Sequence, residues 1–180
     1  MNGRRLLVGV TGGIAAFKTA QLVSLLVQAG AEVQVVMTPA AEEFVGRSTL
    51  AALSGRPVAT SIFDPQRYPL GAHIELARHA ELLIVAPCTA DFLAKAVHGL
   101  ADDLLSTLYL CFRGRVLLAP AMNSAMWEHP AVQRNVIQVQ ADGAELVGPG
   151  SGWLSCRDQG AGRMSEPAEI VAAAERLLTV

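Results

Sequence analysis

Apolar residues follow two alternating patterns along the chain. Short, nearly continuous apolar runs alternate with longer segments in which apolar residues recur at every third or fourth position. Runs of the first kind are typical of buried strands, and segments of the second kind are typical of amphipathic helices. The predicted strands are residues 5–11, 32–38, 81–87, 116–121 and 144–150. Helices are predicted over residues 14–30, 40–45, 48–55, 73–80, 91–100, 102–112 and 167–178, and within 126–143.

This alternation predicts a parallel sheet that is covered on both faces. The expected fold class is α/β, a Rossmann-like (flavodoxin-like) open parallel sheet with helices on both faces, in a single domain over residues 1–180. Residues 151–166 are an exception, because they are rich in glycine and show no periodicity. We expect them to form a long mobile loop within the domain. Ligands of such folds bind beyond the carboxyl ends of the strands, so functional residues are expected there.

Composition excludes several classes of protein. A net charge of −2 gives no basic surface for nucleic acid. No apolar run approaches the ~20 residues of a membrane span.

The start "MNGRRLLVGV" resembles a signal peptide, but Gly12 and Gly13 interrupt the apolar run, so a first strand is the better interpretation. The three cysteines show no CxxC spacing, which predicts neither a disulfide framework nor a metal site. A reducing cytoplasm is the expected location.

Three predicted strands end in short polar or glycine-containing sequences. These are Thr11-Gly12-Gly13-Ile14, Thr38-Pro39-Ala40 and Pro87-Cys88-Thr89-Ala90. Glycines between a strand and a helix let backbone N–H groups and a helix N-terminus approach a phosphate. The first sequence is not GxGxxG and no P-loop lysine follows it, which disfavours a dinucleotide or triphosphate site. Three such ends suit a mononucleotide with one phosphate, such as FMN.

One histidine and one cysteine are candidates for function. His73 begins a helix after the loop "YPLGAH", and the residues alone leave a functional role and a surface or capping role equally open. Cys156 lies in the flexible, polar stretch "GWLSCRDQGAGRM", where Arg157 and Arg163 could meet an anion. Cys111, in contrast, falls within a helical pattern and is expected to be an inert thiol, as is Cys88.

Five motifs together resemble a known family. "TGGIAA", "HIELA", "APCTAD", "PAMNSAMW" and "SCRDQGAGRM" occur in the order found in the homo-oligomeric flavin-containing cysteine decarboxylases. The pattern P-x-M-N-x-x-M-W is similar to that of these decarboxylases in general. The pattern Cys…Gly-x-Gly-Arg-Met resembles that of the branch that acts on a pantothenate conjugate. The resemblance extends from about residue 5 to residue 170.

The resemblance implies an FMN-dependent carboxy-lyase of coenzyme A biosynthesis. The expected reaction converts 4′-phosphopantothenoyl-L-cysteine to 4′-phosphopantetheine through a thioaldehyde and an ene-thiol. By matching positions, His73 would act as a base or orient the substrate, Asn123 would hold the substrate carboxylate, and Cys156 would protonate the ene-thiol carbon. FMN would contact Gly12, Gly13, Ile14, Thr38, Pro39, Ala40, Thr89, Ala90, Asp91, Phe92, Ala121 and Met122. Trp153, Ser155 and Met164 would join Asn123 in binding the substrate, within a substrate-clamp loop over residues 151–166.

Two departures from the family pattern affect this assignment. Asp91 stands where the family often has Asn, and Arg157 stands where Gly usually follows the cysteine. The family also implies a homo-oligomer, either a trimer or trimers assembled into a dodecamer, with FMN at a subunit contact. Many relatives are fused to a C-terminal synthetase, whereas this chain stops near "AAAERLLTV" and is expected to act as a free-standing enzyme.

Two alternatives remain open at this stage, and a third is set aside. A peptidyl-cysteine decarboxylase would act on the C-terminal Cys of a precursor peptide, stop at the ene-thiol and have no need of Cys156. A non-enzymatic, flavin-binding regulatory subunit would carry an acidic tail, which this sequence lacks. A flavin prenyltransferase would share the fold but lack P-x-M-N-x-x-M-W.

Overall fold

The buried apolar runs form the central sheet of the molecule. The computed structural model describes residues 1–179, and its main sheet has five parallel strands in the order β2-β1-β3-β4-β5. The strands are β1 (Arg5–Val10), β2 (Glu32–Met37), β3 (Leu82–Cys88), β4 (Arg115–Pro120) and β5 (Glu145–Leu146). This order is that of flavodoxin-like folds, and the predicted fold class is confirmed.

Helices cover both faces of the sheet. They are α1 (Ala16–Gln28), α2 (Arg47–Ser54), α3 (Ala72–Arg78), α4 (Ala90–His98), α5 (Leu104–Cys111), α6 (Ser124–Glu128), α7 (Pro130–Ala141) and α8 (Pro167–Thr179), with a 3-10 helix at Pro39–Glu43. α1, α2 and α8 pack on one face, and α3, α4, α5 and α7 pack on the other. Within residues 1–179, none of the helices combines the length and apolarity needed to cross a bilayer.

Two separate apolar cores result from this arrangement. Leu82 and Ile84 of β3 point into the core beneath α1 and α8, whereas Leu83 and Val85 point into the other. Successive side chains of a strand point to opposite faces, so a strand that is covered on both sides must be apolar throughout. All seven residues of β3 are buried, which explains its uninterrupted apolar run.

Three predicted elements differ from the structure. The segment 151–166 is not a structureless loop, because β6 (Gly150–Trp153) and β7 (Gln159–Arg163) pair as an antiparallel hairpin. Its alternate glycines carry no side chains that could show a strand period. The fifth strand of the sheet is confined to β5, and residue 150 already belongs to β6. The predicted helix within 126–143 is two helices, since Pro130 starts α7 and disfavours a helical conformation at the residue before it.

Candidate active site

The carboxyl ends of the first four strands open into one cavity of about 910 Å³. Its walls come from the turns that follow β1, β2, β3 and β4 and from the hairpin β6–β7. Nearly all of the predicted site residues line it: Gly12, Gly13, Ile14, Thr38, Pro39, Ala40, Thr89, Ala90, Asp91, Phe92, Ala121, Met122, Asn123, Trp153, Ser155, Cys156 and Met164. His73 is the one predicted residue that does not.

The turn between β1 and α1 packs closely against the loop after β2. A Cβ atom at Gly12 would lie 2.5 Å from the Cβ of Ala40, so a side chain there would displace the loop after β2. No side-chain hydrogen bond caps the N-terminus of α1, which begins after Ala15. The N–H groups of the first three residues of α1 donate to the carbonyl oxygens of Gly13, Ile14 and Ala15. The N–H groups of Gly12, Ile14 and Ala15 have no partner among the described residues, and such free N–H groups before a helix attract anions. This turn therefore offers backbone donors toward the cavity.

Threonine hydroxyl groups fix the strand ends relative to one another. Thr11 Oγ1 donates to the carbonyl oxygen of Pro87 at 2.7 Å and accepts from the N–H of Thr89 at 3.3 Å. Thr19 Oγ1, on α1, donates to the carbonyl oxygen of Ala86 at 2.7 Å. Thr89 also caps α4, since its Oγ1 accepts from the N–H of Phe92 at 3.4 Å. These hydrogen bonds join the turns after β1 and β3.

Asn123 and Cys156 are in direct contact at the cavity. Asn123 follows β4 and caps α6, because its Oδ1 accepts from the N–H of Ala125 at 2.8 Å. Its Nδ2 donates to Cys156 Sγ at 3.3 Å. Capping fixes the amide oxygen and one Nδ2 hydrogen is directed at Cys156, so the second Nδ2 hydrogen is left to face a ligand. Cys156 is exposed in the turn of the hairpin, where a thiol can meet a molecule in the cavity.

The hairpin lies against the turn that carries Asn123. The N–H of Met122 donates to the carbonyl oxygen of Gly162 at 2.9 Å. A Cβ atom at Gly162 would lie only 2.3 Å from the carbonyl oxygen of Met122, and a Cβ atom at Gly160 would lie 2.8 Å from Ser124 Oγ. Close approach of the two backbones therefore requires glycine in β7 and brings Cys156 to Asn123.

His73 is the second residue of α3 and lies outside this cavity. Its side chain is partly buried, and its Nδ1 is a buried atom without a hydrogen-bond partner among the described residues. Its carbonyl oxygen accepts a hydrogen bond from Cys111 Sγ at 3.4 Å. Buried polar atoms are normally paired, so the environment of this imidazole nitrogen is incomplete among the described residues. A role for His73 in the chemistry stays a prediction.

An acidic group lines the cavity between α4 and α5. Lys95 Nζ lies 3.1 Å from carboxylate oxygens of Asp91 and Asp102 and 3.5 Å from one of Asp103. Burial disfavours the charged form of Lys95, but hydrogen bonds to Asp102 and Asp91 outweigh it and raise the pKa of the lysine. The Lys95 ammonium in turn lowers the pKa of Asp102. Asp91, which departs from the family pattern, therefore has a cation as its partner.

A basic pair lines the cavity near the base of the hairpin. Lys18 Nζ, on α1, lies 2.8 Å from Glu166 Oε1, and Arg163 Nη2, at the end of β7, lies 2.7 Å from the same oxygen. Lys18 also donates to the carbonyl oxygen of Met164 at 3.4 Å. The hydrogen bond from Lys18, together with Arg163, lowers the pKa of Glu166.

Sequence reasoning missed several residues that line the cavity. They are Ala15, Phe17, Lys18, Lys95, Asp102, Asp103, Met126, Leu154 and Gly162. Lys18 and Lys95 each lie four positions after a predicted contact, at Ile14 and Asp91, and residues four apart share a helix face. That spacing could have identified both lysines. Met126 is exposed and lines the cavity.

Known proteins share both the sequence and the fold. The family model described as Flavoprotein matches residues 1–179. The coenzyme A biosynthesis bifunctional protein CoaBC of Haemophilus influenzae is 51% identical over 173 residues, which cover 96% of this chain and 43% of that protein. The chain thus spans less than half the length of this curated relative.

Two solved structures are similar over nearly the whole chain. A cysteine-to-serine mutant of PPC decarboxylase complexed with pantothenoylaminoethenethiol gives a TM-score of 0.90 at 29% identity, covering 99% of this chain and 100% of that one. The FMN-dependent cysteine decarboxylase SpaF gives a TM-score of 0.80 at 35% identity, covering 95% of this chain and 97% of that one.

Proposed function

The chain belongs to the Flavoprotein family, and we propose that it is an FMN-dependent carboxy-lyase that converts 4′-phosphopantothenoyl-L-cysteine to 4′-phosphopantetheine in coenzyme A biosynthesis. The observation that carries this proposal is the 3.3 Å contact between Asn123 Nδ2 and Cys156 Sγ at the wall of the cavity. It joins a donor suited to a carboxylate with a thiol suited to protonating a carbon atom. The similarity to CoaBC and to PPC decarboxylase supports the same substrate.

FMN fits the residues at the strand ends. The cavity of about 910 Å³ is large enough for a mononucleotide together with part of a substrate. The N–H groups of Gly12, Ile14 and Ala15 have no partner among the described residues, and a single phosphate would suit these backbone donors in the turn after β1. Phe92 and Ala121 are among the residues that would hold the flavin ring. When bound, FMN supplies the two-electron redox chemistry that a cysteine side chain cannot supply.

Asn123 would hold the carboxylate that is lost as CO₂. A neutral amide donates a hydrogen bond to a carboxylate, but it stabilises the negative charge less than an arginine would. A strong ion pair would stabilise the substrate more than the transition state, in which that charge leaves the carboxyl group. The amide is pre-oriented, because its oxygen is fixed by the N–H of Ala125.

Cys156 would donate the proton in the second half of the reaction. The thiol is exposed in the turn of the hairpin, so a substrate in the cavity can reach it. If Asn123 binds the carboxylate, the contact between Asn123 and Cys156 would bring the thiol close to the carbon from which the carboxylate departs. A peptidyl-cysteine decarboxylase, which stops at the ene-thiol, has no use for this thiol.

We further propose that His73 completes the cavity of a second copy of the chain. His73 lies on α3, outside the cavity of its own chain, and its buried Nδ1 has no partner among residues 1–179. Exposed apolar side chains occur near it, at Leu70 and Ile74, and also at the cavity, at Phe17 and Trp153. Burying both surfaces against each other gives a head-to-tail ring, such as a trimer or trimers assembled into a dodecamer.

The proposed role in coenzyme A biosynthesis and the free thiols of the cysteines both support a location in a reducing compartment. All three cysteines are free thiols in the structure. Free thiols, one of them with a chemical role, suit a reducing compartment. We therefore propose that the enzyme acts in the cytoplasm.

A comparison of two substrates tests the proposed function. Purified protein with bound FMN is incubated with 4′-phosphopantothenoyl-L-cysteine and, separately, with a peptide that ends in cysteine. The expected result is release of CO₂ and formation of 4′-phosphopantetheine from the first substrate only. Release of an aminoenethiol from the peptide, without turnover of the pantothenate conjugate, would instead identify a peptidyl-cysteine decarboxylase. An absence of turnover with both would refute the assignment.

A further inference from the structure

The charged residues that line the cavity form two separate groups of opposite sign. The acidic group has three carboxylates around one ammonium, at Lys95. The basic pair, Lys18 and Arg163, has two cations that share one carboxylate, Glu166. An anion in this cavity is therefore attracted to the basic pair and repelled by the acidic group.

The basic pair keeps donors free for a ligand. An ammonium group has three N–H donors and a guanidinium group has five. Lys18 uses two of its donors, on Glu166 and on the carbonyl oxygen of Met164. The Nη1 of Arg163 lies beside Gly152, where an added Cβ atom would be 3.3 Å from it, so the glycine leaves room for the guanidinium. Among the described residues, Glu166 is the single ion-pair partner of both cations.

Burial distinguishes this pair from ordinary surface charges. The side chain of Lys18 is only 12% exposed, whereas the side chain of Glu166 is 51% exposed. The carboxylate can thus move into solvent at little cost, while the lysine stays directed at the cavity. The carboxylate of Glu166 balances one of the two positive charges. A phosphate monoester has a charge of about −1.5 to −2 at pH 7, which is more than enough to neutralise the other.

We propose that Lys18 and Arg163 form the subsite that binds the 4′-phosphate of the substrate, with Glu166 occupying it until the substrate arrives. The inference rests on the proposed function. In 4′-phosphopantothenoyl-L-cysteine, the phosphate and the cysteine are at opposite ends of the molecule. Arg163 and Cys156 are correspondingly at opposite ends of β7 and its turn, at the base and the tip of the hairpin. The cofactor phosphate would use separate donors, the unpaired N–H groups of Gly12, Ile14 and Ala15 in the turn after β1.

The test compares phosphorylated and dephosphorylated substrates. The ratio of kcat/KM for 4′-phosphopantothenoyl-L-cysteine to that for pantothenoyl-L-cysteine is measured in FMN-loaded protein. We expect the natural protein to prefer the phosphorylated substrate, and Arg163→Gln and Lys18→Gln each to reduce the preference by about ten- to a hundredfold. Arg163→Lys should retain part of it. Arg113→Gln removes an exposed cation that does not line the cavity and should leave the ratio unchanged.

Glu166→Gln separates a binding role from a structural one. If Glu166 only holds the hairpin in place, its loss should impair both substrates alike. If it occupies the phosphate subsite, its loss should increase the preference for the phosphorylated substrate. Calorimetric titration with 4′-phosphopantetheine and with pantetheine gives the same comparison without turnover, and thermal unfolding shows whether each variant is folded.

Each outcome bears on one claim. Turnover of both substrates at equal kcat/KM by the natural protein would overturn the phosphate subsite and leave the proposed function intact. Turnover of neither would remove the proposed function itself. Loss of FMN affinity in Arg163→Gln and Lys18→Gln, with riboflavin affinity and the substrate preference both unchanged, would assign the pair to the cofactor phosphate and overturn the inference.

Discussion

Asn123 and Cys156 are 33 positions apart in the sequence but are joined by one hydrogen bond in the structure. Their residue types and neighbouring motifs mark both as candidates in the sequence. The contact itself could not be predicted, because the segment that carries Cys156 shows no strand pattern and its course was therefore unknown. For His73, the motif could be recognised in the sequence, but its position relative to the cavity could not. The described chain places His73 away from the cavity that it is expected to serve.

Substituting Cys156 should separate the two halves of the reaction. In Cys156→Ser, the hydroxyl group is a much weaker acid than the thiol, so oxidation and CO₂ release should continue while the ene-thiol is not reduced. Mass spectrometry should then detect the ene-thiol in place of 4′-phosphopantetheine, together with a persistently bleached flavin spectrum. Cys111→Ser, at a thiol outside the cavity, serves as the control. A normal yield of 4′-phosphopantetheine from Cys156→Ser would remove this role from the thiol.

The positions of most strands and helices could be predicted from the sequence. The hairpin β6–β7 is the exception. Continuous apolar runs such as β3 leave little ambiguity, since a strand that is covered on both faces has no polar side. In the hairpin, Gly160 and Gly162 are required by close approach to Ser124 and Met122 rather than by a buried face. This requirement for glycine can be recognised only when the relative positions of the two segments in the structure are known.

Substituting Gly162 should displace the hairpin. An added Cβ atom would lie 2.3 Å from the carbonyl oxygen of Met122, and the φ of +119° at this residue strains any side chain. We expect Gly162→Ala to cost about 1–3 kcal/mol in stability and to lower kcat/KM, because Cys156 moves away from Asn123. Thermal unfolding and turnover measure the two effects.

Gly46→Ala is the matched control for this substitution. Nothing lies within 4 Å of an added Cβ atom at Gly46, and its φ is −74°. Its stability and activity should therefore stay close to those of the natural protein. Equal effects of the two substitutions, or an unchanged kcat/KM in Gly162→Ala, would contradict the role assigned to the close approach.

At the scale of the whole molecule, the parallel direction of the strands and the position of the cavity follow from the alternation of strands and helices. Parallel strands direct their carboxyl ends to one side, so turns that are distant in sequence meet there. This rule explains why one cavity collects residues from Gly12 to Met164. An assembly of several chains could not be derived from the same pattern, because a single sequence does not specify which exposed apolar residues face a second copy.

Mixing two inactive variants should restore activity if the site is shared between copies. His73→Asn and Asn123→Asp should each be inactive alone. When they are coexpressed, a head-to-tail ring contains some cavities in which both residues are natural, about a quarter of all cavities for random mixing. Size-exclusion chromatography with light scattering verifies that mixed oligomers form. Mixed oligomers without activity would show that His73 does not complete the cavity of a neighbouring copy.

The most direct measurement of the central claim is a rapid-mixing absorbance experiment with the FMN-loaded protein and 4′-phosphopantothenoyl-L-cysteine. We expect the absorbance of the flavin bands to fall after mixing and then to recover, while CO₂ and 4′-phosphopantetheine form in equal amounts. A protein that binds FMN but whose flavin absorbance stays constant with this substrate, and which releases no CO₂, would contradict the assignment of this cavity as the active site of a decarboxylase.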